Sequence, residues 1–211
     1  MDTTYFGRGF GVMLFKDAYS GKNFYKQYVK YETNQLYAQG IAHLNSKGLG
    51  IQAIVCDGRK GLLQLFDSIP VQMCQFHQSA IITRYLTRKP KLKAAQELRA
   101  LTLLITKTDK ESFVGALAAW HHKWELFLNE RTKDPYTGKS RYTHRRLRSA
   151  WRSLNANLPW LFTWYDHMEL SIPNTTNAID GHFADLKNKL RNHNGLSMKR
   201  KKKYIDDFLK V

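Results

Sequence analysis

Three aspartates of this chain are placed where their carboxylates could hold metal ions beside a phosphate. Asp57 directly follows the short apolar run IQAIVC (51–56), so it is predicted at the carboxyl end of a buried strand, where catalytic groups collect in α/β folds. Asp2 stands just before a predicted hairpin, and Asp180 stands in the first turn of a predicted helix that becomes strongly basic. Carboxylate oxygens are ligands that Mg²⁺ prefers, so phosphate chemistry assisted by metal ions is one interpretation of the three acids.

Each acid also has a simpler structural interpretation, and the residues alone leave both open. Asp57 precedes Gly58, and Asp-Gly is a common turn former. Asp2 would belong to a flexible terminus, the usual state of the first few residues. With Asn177 as the N-cap, Asp180 would occupy the third helical position, where a carboxylate complements the helix dipole.

The helix that carries Asp180 is amphipathic, and its charges share one flank. Asp180, Lys187 and Arg191 recur at helical spacing and are expected to point the same way, next to a buried stripe. A solvated charged face is the alternative interpretation of this flank. The buried stripe consists of Ile179, Phe183, Leu186 and Leu190.

The charge of the chain is large and unevenly distributed. Lys and Arg number 34 against 17 Asp and Glu among 211 residues, a formal net charge of +17. Residues 1–80 carry 8 cations and 5 anions, or +3, which leaves +14 for residues 81–211. Such an excess points first to nucleic acid; a membrane surface is the competitor, but no apolar run reaches the ~18 residues of a spanning helix.

Two basic segments are the main candidates for contact with nucleic acid. KSRYTHRRLRSAWR (139–152) interleaves aromatic residues with arginines, and KRKKK (199–203) lies near the end of the chain. Cations bind phosphates, and aromatic faces can stack on unpaired bases. Ordinary solvated helix surface is the alternative. The predicted nucleic-acid-binding residues are Lys187, Arg191, Arg145, Arg146, Arg148, Lys199, Arg200 and Lys201.

The chain has only two cysteines, Cys56 and Cys74, which argues against a disulfide scaffold and fits a reducing compartment. Cys74 and His77 form the motif CQFH. A structural zinc site needs about four ligands, and no second pair stands at suitable spacing. A buried thiol and a hydrogen-bonded histidine at a strand end are the favoured interpretation.

Hydrophobic patterning divides the chain into three parts. Residues 1–79 alternate between strands and helices, residues 80–170 are predicted to be all-helical with Pro159 ending the last helix, and residues 171–211 hold the basic helix and tail. The order of strands and helices in the first part predicts an α/β domain with a parallel crossover. The first part is predicted to contain strands at 9–15, 24–31, 51–56 and 71–76 and helices at 36–44 and 60–66.

Taken together, four segments make the sequence resemble bacterial insertion-sequence transposases of the Mutator-like superfamily. That resemblance implies an RNase H-like mixed sheet with an all-helical insertion before the last catalytic helix, and an acid triad of the DDE type. The C-x-x-H motif after the second acid is characteristic of the superfamily. The segments are DTTYFGRGFGV (2–12), VCDGRKGLLQLF (55–66), CQFHQSAIITRYLT (74–87) and NTTNAIDGHFADLKNKLRNHNGLS (174–197).

Carried over by position, the resemblance implies that Asp2, Asp57 and Asp180 are catalytic and bind two Mg²⁺ (or Mn²⁺) ions. It implies cleavage and strand transfer of DNA, with element ends and target DNA as partners, a homodimer on DNA, no membrane, and a cytoplasmic, nucleoid-associated location in a bacterium. The family usually has Glu at the third position and further chain before the first acid, so the resemblance also implies a truncated or inactive copy. An RNase H-like metal-dependent endonuclease and a non-catalytic DNA-binding protein are the alternatives.

Overall fold

The chain begins with a three-stranded antiparallel meander, in a computed structural model that describes residues 1–193 and 195–211. The strands are β1 (Asp2–Phe6), β2 (Phe10–Lys16) and β3 (Asn23–Val29), in the order β1-β2-β3. The strands predicted at 9–15 and 24–31 are thus confirmed within one or two residues. Asp2 is the first residue of β1 and pairs with Leu14. The flexible-terminus interpretation of Asp2 is therefore wrong.

A second, parallel pair of strands follows the first helix. After α1 (Asn34–Ser46), β4 (Ile54–Cys56) pairs in parallel with β5 (Val71–Met73). The Met1 nitrogen donates a hydrogen bond to the Val55 carbonyl at 2.8 Å. This bond joins the start of β1 to β4, so antiparallel and parallel strands lie side by side.

Two predicted elements around β5 are corrected. Residues 60–66 form successive turns instead of a helix, and Gly61 there has φ +78°, a left-handed conformation that interrupts a helix. The strand predicted at 71–76 ends at Met73, and helix α2 (Gln75–Leu86) starts two residues later.

The middle of the chain is mostly helical but also contains a small hairpin. Its strands β6 (Arg131–Lys133) and β7 (Ser140–Tyr142) pair antiparallel, so the prediction of an all-helical block is wrong. Asp134 stabilises the loop, because its Oδ1 accepts from the backbone nitrogens of Tyr136 and Thr137 at 2.9 Å. The helices are α3 (Lys93–Leu103), α4 (Lys110–Asn129), α5 (Arg145–Leu161) and α6 (Thr163–Asp166), with 3₁₀ turns at Ile105–Lys107 and Met168–Leu170.

The chain ends in two helices, α7 (Asn177–Arg191) and α8 (Met198–Leu209). The segment 199–203, predicted as a basic tail, is the beginning of α8. Ser197 caps this helix, since its hydroxyl accepts from the Arg200 nitrogen at 3.4 Å.

The core consists of two clusters on opposite faces of the meander. Side chains alternate between faces along a strand, and in β2 Met13 and Phe15 join the larger cluster with α1 and the middle helices. Val12 and Leu14 join the smaller cluster, formed with the apolar faces of α7 and α8. This layering places the helix of Asp180 against the meander that carries Asp2. The buried stripe predicted on α7 is confirmed: Ile179, Phe183, Leu186 and Leu190 all lie in the smaller cluster.

Candidate active site

Asp57 lies where the sequence predicts, directly after β4, and it also takes part in a turn. Its Oδ1 accepts from the Arg59 nitrogen at 3.3 Å. Gly58 packs closely on buried Met73, since a Cβ there would lie 2.2 Å from the Met73 Cε atom and would displace the end of that side chain. The Arg59 side chain holds the following loop, with Nε donating to Asn34 Oδ1 at 2.8 Å. The turn interpretation and the site interpretation of Asp57 are therefore compatible.

Asp2 is a half-buried carboxyl whose titration is influenced by the other two acids. Burial raises its pKa to about 6, and a backbone hydrogen bond from Thr3 opposes the rise. The charges of Asp180 and Asp57 contribute to this rise, while the charge of the Met1 amino group opposes it. The protein thus brings Asp2 within electrostatic reach of both acids, although the three lie far apart in the sequence.

Asp180 belongs to the first turn of α7, but the cap of this helix is one residue earlier than predicted. Thr176, not Asn177, is the N-cap. The Thr176 hydroxyl does not bond to a backbone nitrogen of the helix. It donates instead to Asp180 Oδ2 at 2.9 Å. Asp180 is consequently held by a side chain, and capping alone does not account for it.

The C-x-x-H motif lies beside this contact. Cys74 is the N-cap of α2 and is fully buried. Its Sγ lies 3.3 Å from the Thr176 nitrogen and 3.2 Å from the Thr176 hydroxyl, and His77 Nδ1 lies 3.4 Å from that hydroxyl. The prediction of a buried thiol and a hydrogen-bonded histidine is confirmed.

Cys74 and His77 form a polarised pair. The hydrogen bond with Cys74 raises the pKa of His77 to about 9 against the effect of burial, and the charges of Asp180 and Asp2 contribute to the rise. Burial opposes ionisation of Cys74, but hydrogen bonds from His77 and Thr176 outweigh it and lower the thiol pKa. At neutral pH His77 is therefore a cation close to the acids. Sequence reasoning treated His77 as structural only, and missed Thr176, whose position four residues before Asp180 was the available signal.

The donor chemistry of the three aspartates suits Mg²⁺, which takes oxygen ligands and keeps several waters. Within residues 1–193 and 195–211, no group of three or more His, Cys, Asp or Glu side chains is arranged to hold a metal ion. The two-ion site therefore stays a prediction, based on the types of the three acids and on the contribution of Asp180 and Asp57 to the raised pKa of Asp2.

The predicted basic residues of α7 and α8 are mostly exposed. Lys187 is half-buried on α7, and exposed Arg191 donates to Asn188 Oδ1 at 3.4 Å. Lys199, Arg200 and Lys201 occupy the first turns of α8. Cations there oppose the helix dipole, and together with free backbone N–H groups they make this end favourable for an anion.

The three predicted arginines of α5 differ in their surroundings. Arg145 is exposed and lines a surface groove with the β6–β7 hairpin. Arg146 donates to the Arg84 carbonyl at 2.7 Å. Arg148 donates to the Leu128 carbonyl at 2.9 Å and stacks 3.6 Å from the Tyr142 ring centre. Arg146 and Arg148 thus make contacts within the protein. The groove is also lined by Lys139 and Arg141, which belong to the predicted basic segment 139–152, and by Arg131, which was not predicted.

Comparison with known families identifies the class of the protein. The chain matches the family model described as "Transposase, Mutator family" over residues 27–180. This range includes Asp57, the C-x-x-H motif and Asp180. The chain therefore belongs to the Mutator family of transposases. No match was found among curated proteins or among solved structures.

No helix in the described ranges, 1–193 and 195–211, is long and apolar enough to cross a membrane.

Proposed function

We propose that this protein is the catalytic part of a DDE-type transposase that cleaves DNA and joins the freed 3′ end to a target. In this proposal Asp2, Asp57 and Asp180 are ligands of two Mg²⁺ or Mn²⁺ ions. The observation that carries the proposal is the perturbed titration of Asp2: burial, with smaller contributions from the charges of Asp180 and Asp57, raises its pKa to about 6. Clustering of carboxylates with perturbed pKa values is typical of functional sites.

The architecture supports an RNase H-like fold for this site. Antiparallel β1 to β3 are followed by parallel β4 and β5, and the Met1–Val55 hydrogen bond joins the two sets. The three acids then come from the start of one strand, the end of another, and a helix packed on the sheet. Rigid elements of this kind hold catalytic groups more accurately than loops do.

The chemistry assigned to the site is in-line displacement at phosphorus. Two bound Mg²⁺ ions would activate the attacking water or 3′-hydroxyl and stabilise the leaving oxygen. The three carboxylates would fix the ions and thereby align the reacting phosphate. The Thr176 hydroxyl contacts both His77 and Asp180. The positive charge of His77 would therefore offset part of the repulsion among the acids.

DNA would be held by cations around the acids. Lys187 and Arg191 extend from the helix of Asp180, and Lys199, Arg200 and Lys201 lie at the start of α8. Arg145 and the hairpin groove would contact DNA farther out. Because each phosphate contact releases counterions, affinity should fall by about 0.9 log unit per contact for each log unit of salt. Pairing of two element ends by a homodimer is part of the same proposal.

The test is a strand-transfer assay with Mg²⁺ or Mn²⁺ on DNA that carries the element ends. We expect Asp57→Asn and Asp180→Asn each to abolish cleavage and strand transfer while DNA binding is kept. Asp207→Asn, which removes an exposed carboxylate on α8, is the matched control and should leave activity unchanged.

The outcomes of this assay separate the alternatives. Cleavage unaffected by Asp57→Asn and Asp180→Asn would refute the acid triad. Cleavage without strand transfer would indicate an endonuclease. If the wild type is inactive, activity gained by Asp180→Glu would show a decayed copy, whereas DNA binding alone in every variant would indicate a non-catalytic DNA-binding protein.

A further inference from the structure

We propose that Thr176 is a positioning residue for Asp180, and that Cys74 holds Thr176 in place for this role. The inference rests on the proposed function, because it assigns Asp180 to the metal site. It concerns the contact between the start of α2 and the start of α7, which involves neither Asp2 nor Asp57.

The first observation is that Thr176 does not perform the task its position predicts. An N-cap threonine usually accepts a hydrogen bond from a backbone nitrogen in the first turn of its helix. The Thr176 hydroxyl makes no such bond. It lies 2.9 Å from Asp180 Oδ2 instead, so its one proton serves the carboxylate four residues along the helix.

The second observation is that Thr176 is itself held by the start of α2. Thr176 is buried, with 6% of its surface exposed. Its backbone nitrogen donates to the Cys74 sulfur at 3.3 Å. The Gln75 nitrogen donates to the Asn174 carbonyl at 3.0 Å, which joins the same two chain segments a second time.

The third observation is the number of groups around one hydroxyl. Cys74 Sγ at 3.2 Å, His77 Nδ1 at 3.4 Å and Asp180 Oδ2 at 2.9 Å all lie within reach of the Thr176 oxygen. A hydroxyl has one proton and two acceptor lone pairs, so it cannot donate to all three. The carboxylate is the nearest and the strongest acceptor of the three. The hydroxyl therefore donates to Asp180, and its lone pairs face His77 Nδ1 at 3.4 Å.

The consequence is a defined orientation for Asp180. The hydrogen bond to Oδ2 restrains the orientation of the carboxylate, and in the proposed site the other oxygen, Oδ1, would bind an ion. Partners that orient a metal ligand typically contribute 10- to 100-fold to metal affinity or activity. Thr176 would thus keep the third acid in place between the start of α2 and the sheet.

The experiment compares Thr176→Val with Thr176→Ser and measures Mn²⁺ binding directly, by electron paramagnetic resonance of the free ion. Valine keeps the shape and loses the hydroxyl, whereas serine keeps the hydroxyl. We expect Thr176→Val to weaken Mn²⁺ binding by about 10-fold or more, Thr176→Ser to restore most of it, and DNA binding to stay unchanged in both variants. The neighbouring half-buried Thr175→Val is the matched control and should bind Mn²⁺ as the wild type does.

Thermal unfolding of each variant separates positioning from folding, since a folded Thr176→Val protein with weakened Mn²⁺ binding supports the inference. Equal Mn²⁺ affinity in wild type and Thr176→Val would overturn it and leave the proposed function intact. If Thr176→Val does not fold, Cys74→Ala provides the second variant: a folded Cys74→Ala protein with wild-type Mn²⁺ affinity would overturn the inference. A wild-type protein that binds no Mn²⁺, alone or with DNA, would overturn the inference and the proposed function together.

Discussion

Replacing Asp2 by asparagine should stabilise the metal-free protein at pH 8 and have little effect at pH 4. Burial and the neighbouring acids raise the pKa of Asp2 from 3.8 to about 6, so the folded state favours the protonated form. Asp2 therefore contributes stability that is fully present below pH 3.8 and is lost as the pH rises through about 6. Asparagine does not ionise, so it does not lose this contribution.

The size of the effect follows from the two pKa values. One pH unit between folded and unfolded pKa corresponds to about 1.4 kcal/mol, so ionised Asp2 costs roughly 3 kcal/mol at pH 8. At pH 4 the carboxyl is protonated in the folded state and partly protonated in the unfolded state, and the cost falls below about 1 kcal/mol. Asp2→Asn should regain these amounts in each condition.

The assay is urea unfolding in EDTA at both pH values, with Asp207→Asn as the control for loss of an exposed carboxylate. The control should stay within about 0.5 kcal/mol of the wild type. Saturating Mg²⁺ should stabilise the wild type and have little effect on Asp2→Asn. An Asp2→Asn protein that gains nothing at pH 8, or gains equally at both pH values, would refute the view that the site destabilises ionised Asp2 through burial and neighbouring charges.

Two further variants test the surface and the core. Lys187→Ala should reduce the dependence of DNA affinity on salt by about 0.9 log unit per log unit, measured by fluorescence anisotropy from low to moderate KCl; an unchanged slope would mean that Lys187 contacts no phosphate. Gly40→Ala should lower the free energy of unfolding by about 1–3 kcal/mol, because the new Cβ would lie 2.2 Å from the Phe15 ring. Gly115→Ala, on the exposed side of α4 with no atom within 4 Å, should instead stabilise by about 0.5–1 kcal/mol, and equal effects of the two would contradict the packing described here.

Sequence patterns predicted the elements whose signal is strong and local. The apolar strand β2 and the apolar stripe of α7 were confirmed, because β2 is buried on both faces and α7 is buried along one face. The segment 60–66 was mistaken for a helix; it contains three leucines, which are good helix formers. Leu62 and Leu63 are indeed buried, but Gly61 in the left-handed region permits turns there.

The first and last residues of the helices depend on tertiary contacts that the sequence alone does not reveal. Pro159 was expected to end its helix, yet α5 continues through it to Leu161. The cap of α7 is Thr176 because the cap residue is selected by packing against the start of α2, and the adjacent Asn177 is an equally good cap by residue type alone.

The candidate site was predictable in its residue types and less so in its arrangement. Asp57 could be placed by the apolar run before it, since an acid after a buried strand lies at a sheet edge. The link from Cys74 through Thr176 to Asp180 joins segments that are far apart in sequence, and no local pattern specifies it. The groove next to the β6–β7 hairpin was not predicted for a different reason: the hairpin was missed, although residues 139–152 were predicted to contact nucleic acid.

The most direct test of the account is the position of metal ions in crystals of the protein grown with element-end DNA and Mn²⁺. An anomalous difference map is predicted to show two peaks about 3.5–4 Å apart, within bonding distance of carboxylate oxygens of Asp2, Asp57 and Asp180. A map of such crystals with DNA bound but no peak shared by these acids would contradict the central claim.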